Sequence, residues 1–184
     1  MATPVGHGLV GVAAYLLVRG GAPSRSGGVA LLAACVVLAN LPDLDLLFPI
    51  LLGEGLNPAY HRAATHTGAF ALLVGALCAV GALIRRPCEA RRGVLIGLGA
   101  FGLVASHLAL DLLTHDNRAP YGVPLWWPLD GAYVIAGWTP FLPTRHGSLS
   151  ALLSAGNLMA VVWDALLMSP IVLACYLWSR RGRA

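Results

Sequence analysis

Five long apolar segments constrain what this chain can fold into more than any other feature of its sequence. They cover residues 4–18, 29–41, 68–84, 93–114 and 149–178, and loops rich in glycine, proline and arginine separate them. The last three reach or approach the roughly 20 residues that a helix needs to cross a bilayer, whereas the first two have lengths typical of buried or re-entrant helices. We therefore predict an all-α, polytopic membrane bundle of about five helices.

The composition excludes other classes of protein. Of the 184 residues, 58% are hydrophobic and 11% are charged, whereas about 25% are charged in soluble domains. A soluble globular domain and a disordered chain are both excluded. We predict one domain over residues 1–184, with a motif-bearing core at 3–128, an aromatic and proline-rich loop at 115–147 and a last helix at 149–178. We expect no cleaved signal peptide, because residues 1–8 contain no basic side chain and no small-residue cleavage site follows the first apolar run.

The arginines are distributed unevenly when the segments are threaded alternately through a membrane. Nine of the twelve fall on the side opposite the amino terminus, which the positive-inside rule assigns to the cytoplasm. These nine are Arg19, Arg25, Arg85, Arg86, Arg91, Arg92, Arg180, Arg181 and Arg183. All six histidines fall at or near the other side. We predict a multi-pass protein of a bacterial-type inner membrane with an extracytoplasmic amino terminus and a cytoplasmic carboxyl terminus, and we expect no nucleic-acid partner.

The fourth apolar segment ends in the motif HLALDLLTH, residues 107–115. Residues four apart lie on one face of a helix, so His107, Asp111 and His115 would present two imidazoles and a carboxylate in one column. Zinc and similar divalent ions prefer this mixture of donors. The alternative is a histidine that is hydrogen-bonded to an aspartate between two helices. Because His115 lies beyond the expected helix end, we favour His107 and Asp111 as ligands.

The motif LPDLD, residues 41–45, is the second candidate element. Pro42 is expected to break the helix and to leave the Asp43 and Asp45 carboxylates at the membrane surface, where they can bind or bridge metal ions. The alternative is ordinary helix termination with solvated side chains, since aspartate is common in turns.

The motif HRAATHT, residues 61–67, leads into the third apolar segment. His61 and His66 are candidate metal ligands, and the Arg62 guanidinium can bind an anionic oxygen through two hydrogen bonds. The alternative for Arg62 is an interfacial arginine whose charge reaches the lipid headgroups.

His7 lies between two glycines at the mouth of the first segment, where a lone histidine is more often structural. Four separate segments, however, each deliver histidine or aspartate to the same side of the membrane. One shared metal centre explains this better than four independent structural roles. Asp164, midway along the last segment, indicates either a helix pair or a transport pathway, and we leave it out of the site.

Together these motifs resemble the YdjM-like family of inner-membrane metal-dependent hydrolases, also described as LexA-binding membrane-associated hydrolases. The resemblance covers about residues 3–128 and ends in the stretch PLWWP. It implies a phospholipase C-like helical core, similar in its histidine and aspartate pattern to zinc-dependent phospholipase C and the P1-type nucleases. The metal ligands that it implies are His7, Asp43, Asp45, His61, His66, His107 and Asp111. The implied cofactor is one to three divalent ions, zinc first, with manganese or magnesium as alternatives.

The predicted function is metal-assisted hydrolysis of a phosphoester, with Arg62 adding positive charge near the transition state. Asp43 or Asp45 can instead act as the general base, and the sequence leaves this choice open. Six aromatic residues in the loop at 115–147 suit the headgroup level. They favour a membrane lipid or lipid-linked phosphate as substrate, and the alternative for them is membrane anchoring alone. Two other classes of function stay open: a metal or proton transporter, and a non-catalytic membrane interaction protein.

Overall fold

The computed structural model describes residues 1–19, 25–54, 61–117 and 119–181. Its helices are α1 (Pro4–Val18), α2 (Arg25–Asn40), a 3-10 helix (Leu41–Leu46), α3 (Leu47–Leu51), α4 (Gly68–Arg85), α5 (Ala90–Leu112), α6 (Leu149–Leu152) and α7 (Ala155–Arg181), and a single 3-10 turn at Ala64–His66 precedes α4. Within these ranges no strand is formed, and the only β-type contacts are isolated bridges between Thr114 and Phe141 and between Val123 and Val134. The prediction of an all-α membrane bundle is confirmed.

Four helical stretches are long and apolar enough to cross a membrane: Gly27–Leu51, Gly68–Arg85, Ala90–Leu112 and Ala155–Arg181. The first of these corrects the prediction of a short second segment at 29–41. The α-helix does end at Asn40, but the 3-10 helix and α3 continue it to a length of 25 residues. Pro42 is compatible with this 3-10 helix because it lies in the first turn, where no backbone N–H is needed as a hydrogen-bond donor within the helix.

The predicted last helix at 149–178 is divided in two. Ser148 begins α6, since its side chain accepts a hydrogen bond from the Ala151 N–H. A new helix, α7, then follows Ser154, whose hydroxyl accepts a hydrogen bond from the Asn157 N–H. The Asn157 side chain exchanges two hydrogen bonds with the backbone of Arg145, at 2.8 and 2.7 Å, and so ties the loop at 115–147 to α7.

Helix α5 lies at the centre of the bundle. In the apolar stretch of α5, 44% of the residues are buried, whereas this share is 11% to 22% in the other three spans. Glycines allow the neighbouring helices to approach closely: a Cβ atom on Gly97 would lie 2.7 Å from the Ala79 Cβ, and one on Gly11 would lie 2.7 Å from the Cys35 carbonyl oxygen. The carboxyl-terminal half of α5 packs against α4 through the buried residues Val104 and Leu108.

The two ends of the bundle carry different chemistry. Asp111 lies near the carboxyl end of α5, and Arg92 lies at its amino end. With a rise of about 1.5 Å per residue, these positions are roughly 25–30 Å apart. We call the end with His7, Asp43, His66, His107 and Asp111 the histidine end, and the end with Arg19, Arg85, Arg86, Arg92 and Arg180 the arginine end. Arg183 and the side chain of Arg25 lie outside the described residues.

Candidate metal centre

The histidine end brings together all seven residues that were predicted as metal ligands. Four parts of the chain supply them: α1, the 3-10 helix, the segment before α4, and α5. They are His7, Asp43, Asp45, His61, His66, His107 and Asp111. Their side chains expose between 0% and 9% of their surface. The solvated aspartates of the alternative interpretation are therefore not observed.

Local features of the sequence place these side chains. The Thr3 hydroxyl caps α1 by accepting a hydrogen bond from the Gly6 N–H, and this cap puts His7 at the first turn of the helix. Thr67 caps α4 in the same way, directly after His66. His107 and Asp111 are four residues apart on α5 and therefore share a face, as predicted.

Three groups of side chains have the composition and spacing to hold a metal ion. They are His7, Asp43 and His107; Asp43, His61 and His66; and His66, His107 and Asp111. Within each group the potential ligand atoms lie within 4.8 Å of one another. Because Asp43, His66 and His107 each belong to two groups, the three groups form one continuous cluster.

The orientation of His107 shows which of its nitrogens faces the cluster. Its Nδ1 is 2.9 Å from the Ala39 carbonyl oxygen, which can only accept a hydrogen bond, so Nδ1 carries the proton that is donated. Its Nε2 then points between two carboxylates, 3.3 Å from the Asp43 Oδ1 and 3.6 Å from the Asp111 Oδ2. The Nε2 of His107 and two carboxylate oxygens thus face one another, an arrangement that a cation between them would stabilise.

The other nitrogen–oxygen separations agree with this interpretation. The His66 Nε2 lies 3.5 Å from the Asp43 Oδ1 and 3.6 Å from the Asp111 Oδ2, and the His7 Nε2 lies 3.5 Å from the Asp111 Oδ1. Ligands bound to zinc at about 2.0–2.1 Å in a tetrahedron are about 3.3–3.4 Å from each other. The cluster therefore has the dimensions of a ligand set around a small cation.

Seven buried nitrogen and oxygen atoms of the cluster have no hydrogen-bond partner within the part of the chain that the structure describes. They are His7 Nδ1, His7 Nε2, Asp43 Oδ1, Asp43 Oδ2, His66 Nε2, His107 Nε2 and Asp111 Oδ2. Burial of polar atoms without partners is unfavourable unless something else compensates them. This set of imidazole nitrogens and carboxylate oxygens fits a divalent cation such as zinc or manganese.

Asp45 holds two of the histidines in place. One of its oxygens lies 2.7 Å from the His61 Nδ1, and the other accepts a hydrogen bond from the Thr65 hydroxyl at 2.8 Å and lies 3.2 Å from the His66 Nδ1. A carboxylate bound to the outer nitrogen of a histidine fixes the ring and its tautomer, as is common around metals. The predicted roles of Asp45 as a ligand or a base stay predictions.

Two histidines outside the spans have shifted pKa values. Burial lowers the pKa of His66, but the neighbouring carboxylates of Asp43 and Asp45 outweigh it and raise this pKa to about 9. His66 is therefore protonated at neutral pH, and a metal ion that bound it would have to displace that proton. Burial and the charge of His61 lower the pKa of His146 to about 4, so His146 is neutral at pH 7.

Arg62 has an unusual backbone conformation, with a φ angle of 61°. This left-handed conformation is uncommon outside glycine and occurs often at functional sites. Here it lets the Arg62 N–H donate to Asp45 while the guanidinium pairs with Asp116 and donates to the Gly122 carbonyl oxygen. Arg62 thus joins the cluster to the loop at 115–147, and its predicted contact with an anionic oxygen stays a prediction.

Sequence reasoning missed two neighbours of the cluster, His146 and Asp116. The ring of His146 contacts that of His61, with the centroids 4.7 Å apart. His115, by contrast, is exposed and lies outside the cluster, since α5 ends at Leu112. Neither His146 nor Asp116 belongs to a spacing motif. The available indication in the sequence was that both fall on the side of the membrane where the histidines gather.

Asp164 lies next to the cluster without belonging to it. Its side chain is buried, and one oxygen accepts a hydrogen bond from the Thr3 N–H at 2.6 Å. The same amino-terminal turn approaches the cluster directly, because the Ala2 N–H donates to the Asp111 Oδ1 at 3.1 Å. Asp164 therefore supports the turn that carries His7.

The loop at 115–147, described except for residue 118, is largely exposed. Trp126, Trp127 and Trp138 present 48% to 73% of their surface, as expected for side chains at the headgroup level. Phe141 differs, because it is buried against Ala2 and Leu110.

The family model described as "YdjM inner membrane protein" matches residues 1–182, a longer stretch than the motifs alone had indicated. No curated protein and no solved structure matches the chain.

Proposed function

The chain belongs to the YdjM inner membrane protein family, and we propose that it is a membrane-embedded, metal-dependent hydrolase of a phosphoester in a lipid or lipid-linked substrate. One observation carries the proposal: seven histidine and aspartate side chains from four parts of the chain are buried at one end of the bundle, and five of them have atoms without a hydrogen-bond partner among the described residues, namely His7, Asp43, His66, His107 and Asp111. Burying ionisable groups inside a membrane-embedded bundle costs free energy, so their presence there indicates a function.

The residues that would hold the metal are His7, Asp43, His61, His66, His107 and Asp111, with Asp45 either orienting the histidines or acting as a further ligand. We infer one to three divalent ions, zinc first and manganese or magnesium as alternatives. A bound divalent ion would lower the pKa of a water molecule and neutralise phosphoryl oxygens. The chain itself supplies the orientation, because Asp45 and the Ala39 carbonyl oxygen fix the rings of His61, His66 and His107.

The charged residues of the chain have further roles in this proposal. Asp43 or Asp45 accepts a proton from the attacking water, and Arg62 adds positive charge beside the phosphoryl group. The exposed tryptophans of the loop favour a position of this end of the bundle at the headgroup level. The arginine end faces the cytoplasm by the positive-inside rule, so that the site faces the other side.

The transporter alternative has less support. A transport pathway would need ligands distributed through the depth of the membrane, whereas the described ligand groups lie at one end of α5. Asp164 was the residue that pointed to transport, and its carboxylate is engaged by the Thr3 N–H.

Elemental mass spectrometry of the detergent-purified protein tests the proposal. We expect one or more zinc or manganese atoms per wild-type chain, and loss of this metal in His107→Ala and in the isosteric Asp111→Asn. The matched control is His115→Ala, which removes an exposed histidine outside the cluster. Wild type and control should release phosphate or a phosphorylated headgroup from bilayer lipids, and the two cluster variants should not.

Two results would contradict the proposal. A folded wild-type protein that stays free of metal after resupply would leave the histidines structural. Equal metal content and hydrolysis in wild type and in both cluster variants would place any activity elsewhere. Size-exclusion chromatography and circular dichroism of each variant separate loss of metal from loss of fold.

A further inference from the structure

A groove opens beside Asp45, between the 3-10 helix, α3 and the start of α4. Its volume is about 380 Å³, which lies in the range of small-molecule sites, about 300–1,000 Å³. Leu44, Phe48 and Phe70 are apolar lining residues, and Ala64 lines the groove while remaining exposed. Asp45 and Thr65 are its polar lining residues, and they are hydrogen-bonded to each other.

The polar end of the groove is continuous with the candidate metal centre. Asp45 lines the groove and at the same time contacts the Nδ1 atoms of His61 and His66. A molecule lying in the groove would therefore have one end within reach of the cluster. The rest of the molecule would lie against hydrocarbon side chains, so its chemistry must be apolar along its length and polar at one end.

The outer side of the groove faces lipid. Its wall belongs to the membrane span Gly27–Leu51. Leu47 and Leu51 of α3, and Leu52 directly after it, are 51% to 82% exposed. Phe48 and Leu44, on the groove itself, are about half exposed, at 53% and 49%. Exposed apolar surface of this extent is stable in a bilayer and indicates that the groove is entered from the membrane.

We propose that this groove binds one hydrocarbon chain of the phospholipid substrate, with the phosphate of that lipid at the Asp45 end. The inference rests on the proposed function for the identity of the phosphate group. The binding of the chain itself rests only on the groove and on its opening to the membrane.

Photolabelling with a phosphatidic acid that carries a diazirine at the end of one acyl chain tests the groove. In wild-type protein we expect label on peptides that contain Leu44, Phe48 or Phe70. Ala64→Trp fills the rim of the groove and should reduce this label at least fivefold. The matched control is Ala69→Trp, which adds the same ring at an exposed position of α4 outside the lining and should leave the label unchanged.

Metal content and thermal midpoint are measured on each variant, and Ala63→Leu provides a second, smaller obstruction if Ala64→Trp does not fold. Equal labelling of these segments in wild type and in the folded groove variant overturns the proposal, and so does labelling confined to other helices. Loss of label in Ala64→Trp without any hydrolysis by wild type would support the groove and reject the hydrolase. Hydrolysis by wild type with label unaffected by Ala64→Trp would reject the groove alone.

Discussion

At the histidine end of the bundle, the ionisable side chains of the cluster expose at most 9% of their surface, whereas Arg86, Arg92 and Glu89 at the arginine end expose 39% to 61%. Both ends contain pairs of opposite charge. At the arginine end the nitrogen and oxygen atoms of each pair are 2.9–3.0 Å apart and hydrogen-bonded. At the histidine end several nitrogen–oxygen distances are 3.5–3.6 Å, and some of these buried atoms have no hydrogen-bond partner among the described residues.

In a chain with few charges, burial and missing hydrogen-bond partners distinguish a candidate functional site from surface ion pairs. Exposed ion pairs can separate and be solvated at little cost, so they say little beyond the orientation of the protein. Buried polar atoms that lack partners lose solvation without recovering it, so a stable fold retains them for a reason. If metal binding explains this contrast, substitutions at the histidine end should change metal affinity and substitutions at the arginine end should not.

The largest effect is expected for Asp43→Asn. Asp43 belongs to two of the three ligand groups, and an amide cannot replace a carboxylate that faces two histidines. Because changes to residues that only orient ligands cost about 10–100-fold in metal affinity, we expect this change to cost more than about 100-fold. Competition with a chelator measures the affinity. Asp130→Asn, an exposed carboxylate, is the control, and an Asp43→Asn protein with wild-type affinity would break the comparison.

A smaller effect is expected for Asp45→Asn. Its contacts with the Nδ1 atoms of His61 and His66 indicate an orienting role, for which the loss of metal affinity is about 10–100-fold. The same chelator competition measures it. If Asp45→Asn lost more affinity than Asp43→Asn, Asp45 would be the ligand and the two roles would have to be exchanged.

Metal affinity should also depend on pH. The pKa of His66 is raised to about 9, so below that pH His66 carries a proton that the metal ion must displace. Affinity should therefore rise with pH up to about 9, by up to about tenfold per pH unit for one displaced proton. Titration calorimetry in buffers of different ionisation enthalpy measures the released proton. Affinity that is constant over this range would mean that His66 does not bind the metal.

The smallest effect is expected at the arginine end, for Glu89→Gln. Arg86 and Arg92 lower the pKa of Glu89, and all three side chains are exposed. Removing this charge should leave the thermal midpoint and the metal content unchanged, at low and at high salt alike, because solvent replaces the lost contacts. Differential scanning fluorimetry and elemental analysis check this. A loss of metal would show that the two ends are coupled.

The sequence predicted the parts of the site that depend on local periodicity. His107 and Asp111 are four residues apart in an apolar helix, and that spacing alone puts them on one face. The convergence of His7, Asp43 and His66 was predicted from the side of the membrane on which each loop falls. Successive membrane-spanning helices run in opposite directions, so the order of the spans determines the side of each loop.

The rest depended on contacts between distant residues or on local conformation that the sequence pattern does not specify. Arg62 pairs with Asp116, 54 residues away, through a left-handed backbone conformation that no spacing rule indicates. The α-helix ends at Asn40 as expected, but the 3-10 helix and α3 that lengthen the span past Pro42 were not predicted, because a proline in a first turn is tolerated. His146 has no motif and reaches His61 only because the long loop folds back.

The contact between Asp164 and Thr3 has a consequence for biogenesis. Asp164 belongs to the last span and supports the first turn of the chain, which positions His7 and donates from Ala2 to Asp111. Chains are synthesised from the amino terminus, so α7 enters the membrane after α1. The turn that carries His7 can therefore be held in place only once α7 is inserted, so we expect the candidate ligand set to be complete only after that step.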